Sequence, residues 1–133
     1  MAQCNLGVEV VGAHDLMPKD RHGSACVCVE LQFDGQKFRT SVKEKDLNPV
    51  WNEHFYFAIS DLSDLPNMHL EACIYNVNKE LHTRSFLGKV RIIGTSFVPR
   101  SEAVMMHYPL EKRGWFSRVK GELGMKVFLT DDP

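Results

Sequence analysis

The sequence predicts an all-β protein, an antiparallel sandwich of eight strands in two sheets. Three observations lead to this prediction. Eight strand-like runs are separated by turn residues, helical periodicity is weak along the whole chain, and Asp34-Gly35 stands between two alternating runs, as in a tight hairpin. Because no helix is available to cover a sheet, each sheet must bury one face against the other.

Each run has the length of an ordinary strand. The runs cover residues 5–12, 25–33, 36–42, 53–59, 68–75, 86–94, 104–110 and 122–130. The second and third flank the Asp34-Gly35 hairpin, and the fourth contains the alternating stretch His54-Phe55-Tyr56-Phe57. Short turns are expected within 60–66 and 95–103.

The odd-numbered connections are predicted to share one end of the sandwich, because successive antiparallel strands run up and down. These connections are residues 13–24, 43–52, 76–85 and 111–121. We therefore expect candidate functional residues to gather on a single rim.

Size and composition predict one domain, residues 1–133. The chain is 44% hydrophobic and 25% charged, which is ordinary for a soluble globular protein. It has no run of about 20 apolar residues that would span a membrane, and no room for a signal peptide before the first strand. We expect a cytosolic chain whose four cysteines stay reduced.

The sequence does not indicate an enzyme. No Gly-x-Ser-x-Gly, phosphate-binding loop or zinc spacing is present, and the six histidines are dispersed. Nucleic acid is not favoured as a partner either, because the net charge is -1 and the aromatic residues do not follow a charged groove.

Three motifs carry a resemblance to a known family. They are residues 16–24 (LMPKDRHGS), residues 46–53 (DLNPVWNE) and residues 85–88 (SFLG), in that order. Together they resemble the C2 domain. The tail, with residues 108–114 (YPLEKRG) and 121–124 (GELG), resembles more narrowly the plant multiple C2 domain and transmembrane region proteins.

The resemblance implies a C2 sandwich of the permuted, type II topology. It implies the first module of a longer chain that carries other C2 domains and is anchored in the endoplasmic reticulum. That chain would tether the reticulum to the plasma membrane at plasmodesmata and support transport between cells.

The resemblance also locates the positions at which a C2 domain usually binds calcium through about five aspartates. Here those positions hold Asp20, Cys26, Asn76, Asn78, Arg84 and Ser85. With one acid retained, we expect no useful calcium binding and no cofactor. The alternative is a weak calcium-dependent lipid binder that improvises ligands from Asp15, Asp20 and Glu80.

Two basic segments remain as candidates for binding anionic phospholipids or phosphoinositides. In the third strand, alternation is expected to place Lys37, Arg39 and Lys43 on one face as a continuous stripe, with Lys45 beyond it. In the last loop, Arg113 and Arg118 flank Trp115 and Phe116, a composition suited to a membrane interface. Whether these rings are exposed or cap the core is left open.

The expected function is therefore a calcium-independent, peripheral membrane-binding module that docks on anionic lipids. A protein-interaction module without lipid binding is the alternative, since C2 domains without acidic ligands often resemble interaction modules. An apolar or edge-strand patch outside the basic rim would favour that alternative.

Overall fold

The eight predicted strands are confirmed in the computed structural model, which describes residues 4–20, 22–115 and 118–131. In chain order they are β1 (Cys4–His14), β2 (Val27–Phe33), β3 (Gln36–Arg39), β4 (Val50–Ile59), β5 (His69–Asn78), β6 (Thr83–Ile93), β7 (Met106–Pro109) and β8 (Glu122–Thr130). Three short 3₁₀ turns, Leu62–Asn67, Gly94–Ser96 and Arg100–Glu102, lie where short turns are predicted.

The strands form two four-stranded antiparallel sheets. Sheet 1 has the order β4-β1-β8-β7, and sheet 2 has the order β3-β2-β5-β6. This order is consistent with the permuted topology. Along the centre of sheet 1 the first and last strands lie side by side, from Asn5 opposite Thr130 to His14 opposite Glu122.

The core lies between the sheets and follows from the period of two in each strand. Leu6, Val8 and Val10 of β1 are fully buried, as are Val29 and Leu31 of β2. Removing each such side chain from water contributes about 1.5–3 kcal/mol. The residues between them face outward, so burial of one face fixes which side chains each sheet presents to solvent.

The DLNPVWNE motif packs loop 46–49 against the end of β1. Backbone amides of Ala13 and Leu16 donate to the carbonyls of Pro49 and Leu47, at 2.9 and 3.1 Å. Trp51 is 6% exposed and donates its indole N–H to the carbonyl of Ser41 at 2.8 Å. The motif therefore holds two loops of the predicted rim in place.

The third strand ends earlier than predicted, at Arg39. At the next residue, the buried Thr40 hydroxyl accepts a hydrogen bond from the Val29 amide at 2.9 Å. In a regular ladder the acceptor of this bond would be a backbone carbonyl oxygen. Pairing resumes only at the bridge between Lys43 and Val27. From Glu30 opposite Arg39 to Val27 opposite Lys43, the register has slipped by one residue.

No helix among the residues described is long and apolar enough to cross a membrane.

Candidate functional site

The four odd-numbered connections do meet at one end of the sandwich, which we call the rim. Lys120 Nζ forms an ion pair with Asp15 Oδ1 at 3.2 Å, and Lys79 Nζ forms one with Glu44 Oε1 at 2.7 Å. The Cys26 carbonyl accepts from the Val77 amide at 2.8 Å. These contacts join the first loop to the last, the second loop to the third, and the end of the first loop to the third.

Asp20, the one retained acid of the expected calcium positions, caps its own loop. Its Oδ1 atom accepts from the backbone amides of His22 and Ser24, both at 2.8 Å. A carboxylate oxygen held by two amides stabilises the turn.

The other expected calcium positions are also engaged within the protein. Asn76 Oδ1 accepts from the Cys26 amide at 2.8 Å, and its Nδ2 lies 3.5 Å from the Ser85 hydroxyl. Asn78 Oδ1 accepts from the Leu81 amide at 3.1 Å. Calcium takes six to eight oxygen ligands, and this set of one capped acid, two engaged amides and a thiol does not fit it. Within residues 4–20, 22–115 and 118–131, no group of three or more His, Cys, Asp and Glu is placed to hold a metal.

Arg84 does not point at the rim, which corrects its expected role as a repelling cation beside the calcium positions. Its Nη1 atom donates to Glu30 at 3.0 Å, and its guanidinium carbon lies 4.0 Å from the centroid of the Tyr75 ring. The bond to Glu30 raises the pKa of the Arg84 guanidinium. Arg84 therefore belongs to the outer face of sheet 2, the side turned away from the core.

The outer face of sheet 2 begins at β3 with two of the predicted cations. Lys37 lies opposite Gln32 and Arg39 lies opposite Glu30. Since the intervening Leu31 is fully buried, Lys37 and Arg39 share the outward side.

Lys43 does not continue this row, so the prediction of one continuous stripe is wrong. Residues directly opposite in an antiparallel ladder point to the same side. Lys43 lies opposite Val27, whose side chain is in the core, whereas Val42 packs on the outer face with Cys28 and Tyr75. Because the register shifts by one residue at Thr40, the side chains of residues 42 and 43 point to the opposite sides from those that strict alternation predicts. Lys45 lies in the following turn with a positive φ of 51°.

Two further cations on this face lie in β6, and sequence reasoning missed them. Arg91 is opposite Glu71, and Lys89 is opposite Cys73. Arg84, Phe86, Lys89 and Arg91 do not alternate strictly, because the ladder shifts between Ile74 and Tyr75 and Gly88 has a φ of 153°. Basic residues on both sides of the SFLG motif were the signal that could have identified them.

The floor of this face is a small apolar cluster that is separate from the core. It contains the buried Cys28, Cys73 and Tyr75, with Phe86 packed against them. Burial raises the pKa of both thiols and of the Tyr75 phenol, so all three remain neutral near pH 7. The face therefore presents cations above an uncharged, partly aromatic floor.

Arg113 is carried onto this floor by the loop between β7 and β8. The backbone of Glu111 pairs with that of Lys89, at 2.8 and 3.1 Å. Arg113 then donates to the Tyr75 hydroxyl at 3.1 Å and lies 4.3 Å from the centroid of the Phe86 ring. The basic strand and the last loop, which the sequence treats as two sites, meet here.

Trp115 follows two residues later and is 96% exposed. Its ring does not cap the core, so the question that the sequence leaves open is resolved for this residue. Arg118 is also exposed. Phe116, the other predicted aromatic residue, lies outside the residues that the structure describes.

Charge on the outer face of sheet 2 is predominantly positive. Of the residues with described positions, six cations lie there: Lys37, Arg39, Arg84, Lys89, Arg91 and Arg113. The acids are Glu30 and Glu71, with Glu111 at the edge. We call this surface the basic face. Its excess of cations contrasts with the net charge of -1 for the whole chain.

Comparisons with known proteins agree with this architecture. The C2 domain family model matches residues 4–110. Multiple C2 domain and transmembrane region protein 7 of Arabidopsis thaliana is 58% identical over 132 residues, which is 99% of this chain and 13% of that protein. Protein 9 of the same series, from the same plant, is 54% identical over 100% of this chain and again 13% of its own length. The chain thus spans about one eighth of these relatives.

A solved structure gives the same result for the fold. The C2A domain of plant extended synaptotagmin 1 superposes with a TM-score of 0.81 at 26% identity, covering 94% of this chain and 92% of that one. With the family model matched over most of its length and two such relatives, the chain belongs to the C2 domain family.

Proposed function

We propose that the chain is a calcium-independent, non-enzymatic module that docks on anionic phospholipids, phosphoinositides included, at the cytosolic surface of the plasma membrane. One observation carries the proposal. Six cations share the basic face, and the loop that delivers Arg113 to it leaves Trp115, two residues later, 96% exposed. Phosphates would contact the cations while the indole enters the headgroup region.

The expected binding is weak and reversible. Each cation near an anionic surface contributes about 1 kcal/mol before screening, and three acids on the same face offset part of this attraction. One module would then depend on neighbouring modules for avidity. The relatives named multiple C2 domain and transmembrane region proteins are several times longer than this chain.

Calcium independence is supported by the contacts at the rim. In a calcium-binding site the metal draws acidic loops together, whereas here Asn76, Lys79 and Lys120 join the loops through protein atoms. Their geometry requires no added charge. The rim would therefore hold its shape in the presence of a chelator.

The cellular role proposed for the module follows from the longer relatives. As the first module, residues 1–133 would act with other C2 domains of the same chain, anchored in the endoplasmic reticulum. Docking would tether the reticulum to the plasma membrane, at plasmodesmata, and support transport between cells.

Liposome co-sedimentation tests the proposal with two variants of equal charge change. Vesicles contain phosphatidylcholine alone, with phosphatidylserine, or with phosphatidylinositol 4,5-bisphosphate, each in calcium and in chelator. We expect binding in chelator that Lys37→Ala/Arg39→Ala weakens about fivefold or more, because one fully available charge is worth about 1 kcal/mol and Lys37 is partly engaged by Glu30. Lys43→Ala/Lys45→Ala should have a smaller effect, because Lys43 leaves the basic face at the register slip.

Two results would contradict the proposal. Binding only in calcium would mean that the rim improvises a metal site from acids such as Asp15 and Glu80. Equal losses in both double variants would mean that overall charge, and not the basic face, determines attachment.

A protein partner is the second candidate function, favoured by one apolar surface. The edge strand β7 and the segment before it expose Val104, Met105 and Met106 to 66%, 43% and 52%. Beside them lies a groove of about 320 Å³ lined by residues that include Phe97 and Tyr108. If the protein bound no vesicle, this apolar surface would become the candidate functional site.

A further inference from the structure

Glu30 occupies the centre of the basic face and already contacts its cations. Its Oε2 atom lies 3.0 Å from Arg84 Nη1, and its Oε1 atom lies 3.7 Å from Lys37 Nζ. Arg39 is directly opposite in the ladder. Only 15% of the Glu30 side chain is exposed, while those of Arg84 and Lys37 are 49% and 56% exposed.

The other acids of this face are held differently. Glu71 accepts from the Cys73 thiol at 3.6 Å, and Glu111 pairs with Lys89 through its backbone. Among the residues with described positions, neither carboxylate forms an ion pair with a lysine or arginine of this face within 4.0 Å. Glu30 is thus the acid that directly occupies two of the six cations.

An arriving phosphate must compete with this carboxylate. Arg84 rests on the Tyr75 ring and directs Nη1 to Glu30, so a phosphate reaches that donor only if the bond to Glu30 is broken or shared. A phosphate must compete with Glu30 for Lys37 as well, although this ion pair is longer, at 3.7 Å. Two cations therefore contribute less to lipid binding than their exposure indicates.

We infer that Glu30 is an internal competitor for the anionic ligand, and that it raises the density of anionic lipid at which the module attaches. The inference rests on the proposed function, because it concerns the same face. It assigns Glu30 to regulation of affinity: on sparsely charged membranes the carboxylate keeps Arg84 and Lys37 occupied, and both cations become available when phosphates are dense enough to displace it.

The test compares Glu30→Gln with Glu9→Gln on phosphatidylcholine vesicles of increasing phosphatidylserine content, in chelator. Glu9 lies on sheet 1, opposite Lys126 and His54, so its change alters the net charge equally but away from the basic face. We expect Glu30→Gln to bind about fivefold more tightly than wild type, since one charge at such a surface is worth about 1 kcal/mol. Glu9→Gln should change binding less than about twofold, because charges beyond a Debye length are screened.

A double-mutant cycle with Arg84 separates competition from simple charge. Competition predicts that Arg84→Gln weakens binding only slightly in the wild type, where Glu30 holds the guanidinium, and about fivefold or more in the Glu30→Gln background. Equal losses in the two backgrounds would overturn the inference. A gain for Glu30→Gln no larger than for Glu9→Gln would overturn it as well.

The two proposals fail in different ways. If wild type binds and Glu30→Gln behaves like Glu9→Gln, only the inference is wrong. If no variant binds any anionic vesicle, the proposed function is wrong and the inference falls with it. Melting temperatures of all variants establish that each one is folded.

Discussion

At the scale of single residues, Thr40 decides which cations the basic face contains. Its hydroxyl replaces a backbone acceptor for Val29, and the ladder is one residue out of register when it resumes at Lys43. Strict alternation, the rule available from sequence, holds as far as Arg39 and fails beyond it. A side chain that substitutes for backbone cannot be recognised from periodicity.

Thr40→Val should lower the free energy of unfolding by about 1–3 kcal/mol, because the buried Val29 amide loses its acceptor while the shape of the side chain is kept. Chemical denaturation measures this loss. Hydrogen exchange of the Val29 amide should accelerate in Thr40→Val and remain slow in Thr40→Ser, which keeps the hydroxyl. Unchanged protection in the valine variant would show that the hydroxyl is not the acceptor in solution.

The cysteines should divide by reactivity into two pairs. Burial raises the pKa of Cys28 and Cys73, so at pH 8 a smaller fraction of each is thiolate, the reactive form. Iodoacetamide followed by mass spectrometry should label the partly exposed Cys4 and Cys26 first. All four should react at similar rates in urea. Early labelling of Cys73 in the folded protein would contradict the buried cluster beneath the basic face.

At the scale of elements, the loop between β7 and β8 unites features that look separate in the sequence. Composition alone suggests an aromatic tip with flanking arginines. Pairing of Glu111 with β6 turns Arg113 back onto Tyr75, while Trp115 remains in solvent. Strand positions were largely predictable because each depends on local patterning. The path of this loop depends on contacts between residues distant in sequence, which a single sequence does not reveal.

Trp115→Ala should weaken binding to anionic vesicles by about tenfold, because burial of a large aromatic side chain is worth a few kcal/mol and the interface recovers part of it. The melting temperature should not change, since the ring is 96% exposed. Leu62→Ala is the matched control and should leave binding unchanged, because this apolar side chain, 51% exposed, lies in the turn between β4 and β5, at the end of the sandwich opposite the rim.

Fluorescence gives an independent reading of the same element. Trp51 is buried and should report little, so a blue shift on adding vesicles should come from Trp115 and disappear in Trp115→Phe. A shift that persists in this variant would place the change at Trp51 and argue against insertion of the loop.

At the scale of the whole molecule, basic and acidic residues are unevenly distributed over the surface although the net charge is small. The chain carries 16 basic and 17 acidic residues, yet the basic face holds six cations and three acids. The net charge therefore gives no indication of how charged residues are distributed over the surface. Two sheets were predictable because the hydrophobic pattern specifies them, whereas the grouping of charges required the register of β2, β5 and β6.

Salt should release the module from anionic vesicles. Raising ionic strength from 0.1 to 1 M shortens the Debye length from about 10 to about 3 Å, and we expect binding to fall by about tenfold or more. Co-sedimentation measures the loss, and a thermal melt at 1 M salt confirms that the protein is still folded. Binding that does not respond to salt would favour attachment through the apolar surface near Met106.

The pairing of Asn5 with Thr130 has a mechanical consequence. The Asn5 end of β1 and the Thr130 end of β8 lie on the same side of the sandwich, opposite the rim. A load between one of those strand ends and the rim loop that carries Trp115 would run along the length of β1 or β8, so many interstrand hydrogen bonds would resist it together. A load that pulls the two ends apart would instead open the same pair one bond at a time, so the direction of pull would determine how much force the fold withstands.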